Sequence, residues 1–128
     1  MKRKLLLTSL IVLCSISMAN AGCDGGTMVS TQSGSFCRSD KTMNWWSAHN
    51  WCRANGMSLV SMYDVCPDWD GNTGNAKCPQ LSVNGSEYIW TSTAAKTTYA
   101  FAVSLSNGTV DALGGRHLNN DVRHAFCK

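Results

Sequence analysis

The sequence predicts an α+β domain, two short helices packed on antiparallel strands and stabilised by disulfides. Three observations point there. A capped, tryptophan-rich helical segment lies early, at residues 44–56. Alternating, turn-punctuated strand patterns fill the second half, so helix and strand signals are segregated rather than interleaved. Six cysteines follow an apolar leader in a chain of 128 residues, too short to rest on an apolar core alone.

The leader comes first. Lys2, Arg3 and Lys4 form a positive start, residues 5–13 an apolar run, and Ala19-Asn20-Ala21 a cleavage signal. A signal peptide is therefore expected over residues 1–21 and one mature domain over 22–128. The apolar run is too short to span a bilayer comfortably and no later segment is long or apolar enough, so membrane insertion is not expected. The expected location is secreted, periplasmic or at the cell surface. Ala21-Gly22-Cys23 also resembles the end of a bacterial lipoprotein signal. Against that, Asn20 stands where such signals usually carry Leu, and lipidation of Cys23 would leave an odd number of cysteines. The formal charge of +3 is that of the leader; beyond it the basic side chains balance the eight Asp and Glu, with no basic stripe. Nucleic acid and anionic membrane are accordingly not expected as partners.

After a Gly/Ser/Thr-rich start, Ser35-Phe36-Cys37-Arg38 reads as a short strand. The first helix is bounded by Thr42 or Asn44 as N-cap and by Gly56 as left-handed terminator. At about 100° per residue, with Trp45 at zero, Cys52 falls at about 340°, Ala48 at about 300° and His49 at about 40°. Trp45, Ala48 and Cys52 are then core, Trp46 and Trp51 lie at the margins of the buried stripe, and Ser47, Asn50 and Arg53 face outward or sideways. Ser61 and Asp64 are spaced as a capping box for a brief second helix through Val65. Residues 66–75 are turn-forming throughout, enclosed by Cys66 and Cys78. Tyr88-Ile89-Trp90-Thr91 is a strand with Trp90 in the core. Tyr99, Phe101, Val103 and Leu105 alternate with Ala100, Ala102 and Ser104, the period of a half-buried strand. Asn107-Gly108 is a hairpin signal with a return strand over 109–113, and residues 124–127 close the chain.

The pattern Trp45, Ala48, Cys52, Gly56, Leu59, Ser61 resembles the first-helix signature of C-type lectin-like domains. Phe126-Cys127-Lys128 is similar to that family's terminal strand, and Ser35-Phe36-Cys37 to its N-terminal hairpin. The second half is closer to bacterial lectin-like modules, including terminal domains of surface adhesins. Six cysteines allow fifteen pairings. The resemblance implies Cys23–Cys37, Cys52–Cys127 and Cys66–Cys78, with the helix Trp and Ala packed inward. Zinc, the rival use of six cysteines, finds no Cys-x-x-Cys pair.

The resemblance also implies a binding function, and the residues say where to look. Sugar-binding members hold calcium with an E-P-N or Q-P-D loop and a W-N-D strand. Neither tripeptide is present, and Asn120-Asp121 matches only the end of W-N-D, so no cofactor is expected to be required. Asp68, Asp70 and Asn72 are the candidate calcium ligands, alternate oxygens in a turn; an Asx-turn is the structural alternative. Trp69, flanked by acids in a loop, is a candidate stacking residue, or else a plug for that loop. Arg116, His117, Asn119, Asn120 and Asp121 form a polar loop able to hydrogen-bond a polyol or a peptide, or to serve only as a solvated connection. Catalytic motifs are missing. His49 and Cys52 are spaced as a dyad, but a disulfide is the better use of that sulfur. Formylglycine-generating enzymes share a related fold but are much longer and need free cysteines. The expectation is a non-catalytic module binding carbohydrate or glycoconjugate, or else a protein-binding adhesin, receptor or inhibitor, with an enzyme a distant third.

Overall fold

A computed structural model describes residues 22–71, 78, 88–96, 99–106, 108–110 and 121–128. The expected leader, the strand continuation over 111–113, and candidate site residues Asn72, Arg116, His117, Asn119 and Asn120 lie outside the described residues. Five strands and two helices are arranged as β1 (Gly26–Thr31), β2 (Gly34–Met43), α1 (Trp45–Ala54), α2 (Met62–Val65), β3 (Tyr88–Lys96), β4 (Tyr99–Ser104) and β5 (Arg123–Cys127). They form one sheet in the order β1-β2-β5-β3-β4. The α+β class is as expected, but the sheet is mixed: β5 inserts between β2 and β3, antiparallel to the first and parallel to the second. Tight hairpins favour antiparallel pairs, and β1–β2 and β3–β4 obey that. The last strand returns after a long excursion, which frees its direction from the hairpin rule.

The strand read at residues 35–38 is part of a ten-residue strand that runs to Met43. An irregularity between Arg38 and Thr42 lets it continue. There Ser39 is fully buried, and its hydroxyl accepts from the Ala125 N–H at 2.8 Å while donating to the Lys41 carbonyl at 2.7 Å. The side chain thus replaces ladder bonds that the bulge removes. Asn44, rather than Thr42, caps α1: its side chain accepts from the Ser47 N–H at 2.8 Å. Gly56 takes φ 71°, as a helix terminator requires. In α2 both halves of the Ser61–Asp64 capping box form.

The sheet divides two cores. α1 covers one face, where Ala48 and Cys52 meet Cys37, Trp90, Ala100, Ala102, Ala125 and Cys127. Trp45 and Trp51 pack at the edge of this cluster rather than inside it. On the other face Phe36, Ile89, Phe101, Val103 and Phe126 pack with Val60, Met62 and Val65. Residues 100–104 of β4 are therefore buried on both sides, not half-buried. Its alternation is one of large and small side chains serving two cores, and a pattern of period 2 does not by itself say that one face is wet.

The three disulfides are those that the resemblance implies. Cys23–Cys37, Cys52–Cys127 and Cys66–Cys78 have Cα–Cα distances of 5.5, 5.6 and 5.4 Å. Such bonds suit an oxidising compartment. Among the described residues no helix is long and apolar enough to cross a membrane.

Candidate functional site

Trp69 is placed by the short helix before it. The α2 capping box turns Met62 and Val65 inward and leaves Tyr63 54% exposed. The Cys66 N–H donates to the Met62 carbonyl at 2.8 Å and the Trp69 N–H to the Cys66 carbonyl at 3.0 Å, a tight turn that swings the indole back over the sheet. Its ring then lies edge-on to Phe101, with centroids 4.9 Å apart, and 5.3 Å from Tyr63. Trp69 is half-buried, packed against the core that includes Cys66, Cys78 and Phe101. Asp68 and Asp70, its sequence neighbours, are exposed. The result is an aromatic pair seated on the core and bordered by carboxylates.

The loop is fixed at its far end. Cys78 is bonded to Cys66, and its N–H donates to the Gly108 carbonyl at 2.7 Å. Gly108 has φ 67°, and a Cβ there would stand 1.9 Å from the Cys78 carbonyl oxygen. Only glycine fits that approach.

For calcium, the described residues supply Asp68 and Asp70; the third candidate, Asn72, lies outside them. Among the described residues no three of His, Cys, Asp and Glu converge as a metal-holding group. Of the polar loop before β5, only Asp121 is described, half-buried two residues ahead of that strand. Next to it the Arg123 guanidinium lies 5.6 Å over the Tyr88 ring, and both side chains line a cavity of about 220 Å³ with Thr42, Val122 and His124.

A second arrangement, on α1, went largely unread in the sequence. The Trp45 indole N–H donates to the Thr91 carbonyl at 2.8 Å, and the Trp90 indole N–H donates back to the Met43 carbonyl at 2.8 Å. This crossed pair stitches the start of α1 to β3. Trp46 stands edge-on to the anchored Trp45 at 4.8 Å, 54% exposed, and His49 stands edge-on to Trp45 at 4.2 Å. Burial, and next the Arg53 charge, hold the His49 imidazole below its usual pKa, so it is neutral at physiological pH. Its Nε2 is buried with no hydrogen-bond partner among the described residues. The Cys52 sulfur beside it is bonded to Cys127 and offers no thiolate. The legible signal was Trp46, Asn50 and Arg53 at i, i+4 and i+7, one helix stripe.

The chain matches no protein-family model and no curated protein.

Proposed function

We propose that the chain is an exported, non-catalytic binding module of C-type lectin-like build that recognises carbohydrate or glycoconjugate at a bacterial cell surface or in the periplasm. The observation that carries this reading is the Tyr63–Trp69 pair, backed edge-on by Phe101 and bordered by the exposed Asp68 and Asp70. A pyranose offers an apolar C–H face that stacks on such rings, and its hydroxyls donate to carboxylates. The core behind the pair holds it in place before a ligand arrives, which lowers the ordering cost of binding. The lectin-like build draws support from the Cys52–Cys127 bond between first helix and last strand, and from β5 lying beside β2. Calcium at Asp68, Asp70 and Asn72 is an optional addition to this scheme, and the 116–121 loop would extend the contact surface.

Glycan-array binding of the mature domain, with calcium and with chelator, tests the reading. Trp69→Ala is expected to weaken binding by about 2 kcal/mol or more, with Tyr63→Ala a smaller loss. Unchanged affinity in a folded Trp69→Ala variant would remove the pair from the site. No glycan bound under either condition, with a protein captured instead, would replace the lectin by a protein-binding module of the same fold.

A further inference from the structure

We propose a second ligand site on the outer stripe of α1, built for an acidic sugar residue such as a hexuronic acid. It is separate from the Tyr63–Trp69 platform and stands whether or not that platform binds glycan.

Three features of the stripe converge. Trp46 is a large exposed ring set edge-on against Trp45, which is itself tied by its indole N–H to the Thr91 carbonyl. Asn50, one turn on, is exposed and carries both a donor and an acceptor for hydroxyl groups. Arg53, a further turn on, has no ion-pair partner among the described residues. Together with Trp45 and His49 these side chains line a cavity of about 380 Å³, within the size range of small-ligand sites. No acidic side chain is among its described lining residues, and His49 is neutral. The site therefore presents one unopposed positive charge beside one open aromatic face.

That pairing selects its ligand. A pyranose stacks its C–H face on Trp46, its hydroxyls meet Asn50, and its carboxylate meets the Arg53 fork, a charge-assisted and bidentate contact. A neutral sugar would leave Arg53 unused, and a bare anion would leave Trp46 unused. His49 and Arg53 also line a separate cavity of about 310 Å³, together with Met57, Ser58, Leu59 and Ser92.

The test is an NMR titration of the mature domain that follows the tryptophan indole N–H resonances, with D-glucuronate, methyl β-D-glucopyranoside and acetate as probes. Glucuronate is expected to shift the Trp46 resonance saturably, with a Kd of about 1 mM. The neutral glucoside should bind about tenfold more weakly. Arg53→Gln should bring glucuronate down to the glucoside's level and Trp46→Ala, followed at the Trp45 indole and the Asn50 side-chain amide that line the same cavity, should abolish binding, while Trp69→Ala should leave it unchanged. Both stripe positions are exposed, so these variants keep the fold, which the rest of each spectrum verifies. Equal responses to glucuronate and the glucoside, or glucuronate binding that survives either stripe substitution, would overturn the proposal. An acetate response matching that of glucuronate would reduce the site to adventitious anion contact at Arg53 and overturn it equally. Because the readout is Trp46 and the control is Trp69→Ala, failure here leaves the platform reading untouched, and failure of that reading leaves this one.

Discussion

The two faces of the sheet are filled by different means. Toward α1 the strands present Cys37, Ala100, Ala102, Ala125 and Cys127, small side chains that let a helix backbone approach, and Trp90 fills the space that remains. Toward α2 and the Cys66 loop they present Phe36, Ile89, Phe101, Val103 and Phe126. A regular helix satisfies its own backbone polar groups and brings a ready apolar stripe, so it can sit on a nearly flat bed. A loop brings little apolar surface, so the sheet must reach out to it with large rings. The α1 face is accordingly held by the Asn44 cap, crossed indole hydrogen bonds and the long-range Cys52–Cys127 disulfide. The other face is held by a local disulfide, a glycine contact and a half-buried tryptophan.

The largest expected effects set the disulfides of the two faces against each other. Cys52–Cys127 spans 75 residues of sequence and Cys66–Cys78 spans 12, so the first restricts the unfolded chain more. Replacing both members of the long-range pair by alanine should cost about 4–5 kcal/mol, and the same change at Cys66 and Cys78 about 3 kcal/mol. Denaturant midpoints of the two variants measure the difference. An equal or larger loss at Cys66–Cys78 would mean that the loop face, not the helix face, is where the fold is secured.

Gly108→Ala comes next, at about 2–3 kcal/mol. It forces an L side chain to φ 67° and drives a methyl group into the Cys78 carbonyl. The damage should stay on the loop face: Trp69 emission should change, while hydrogen exchange of the α1 amides keeps its protection. Loss of protection in α1 as well would show the two cores to be one cooperative unit.

This contrast also explains what was readable in the sequence. Local rules suffice for the Asn44 and Gly56 boundaries of α1, for the Ser61–Asp64 box of α2, and for the burial of Ala48, Cys52 and Trp90, all of which follow from residue type and spacing. The insertion of β5 between β2 and β3 does not, because it depends on which long-range pairing buries most surface. Nor could spacing reveal that Ala100 and Ala102 belong to the buried cluster on the α1 side, since a small residue looks the same on a dry face and on a wet one. At the candidate sites, Trp69 was legible as a loop tryptophan, but its seat on Phe101 was not. Spacing puts Trp46 at the margin of the buried stripe and Asn50 and Arg53 outside it, but does not reveal their convergence on one cavity, nor the place of Tyr63 beside Trp69.

Acid titration should separate the faces by a smaller effect, through one group on each. On α1, burial and Arg53 hold the folded imidazole of His49 below its usual 6.5. As pH falls below 6.5 the unfolded chain takes up that proton first, so stability declines until the folded pKa is passed. On α2, burial pushes the Asp64 carboxyl up, but hydrogen bonds from Lys128 and from the Ser61 backbone and side chain outweigh it and leave the group below its usual 3.8. Its stabilisation is complete above 3.8 and is lost as pH falls through the lower folded value. Unfolding free energy against pH should thus fall in two steps. His49→Gln should flatten the upper step alone. Asp64→Asn should flatten the lower one, at a cost of about 1 kcal/mol at neutral pH from the weakened cap. A single merged step that neither variant alters would mean that other groups govern acid stability.

The smallest expected effect tests where the framework ends. Trp45 and Trp46 are adjacent in sequence and alike in size, yet only Trp45 ties α1 to β3 through its indole N–H. Trp46→Ala removes an edge contact with Trp45, worth about 0.5–1.5 kcal/mol, and regains a few tenths from the better helix propensity of alanine, roughly 0.5 kcal/mol. The net change in stability should be about 0.5 kcal/mol, near the limit of what denaturant unfolding resolves. A ring kept more than half exposed at so little benefit to the fold is available for a ligand. A loss of about 2 kcal/mol or more would place Trp46 in the framework with its neighbour, and the acidic-sugar site would then lose the open face on which it depends.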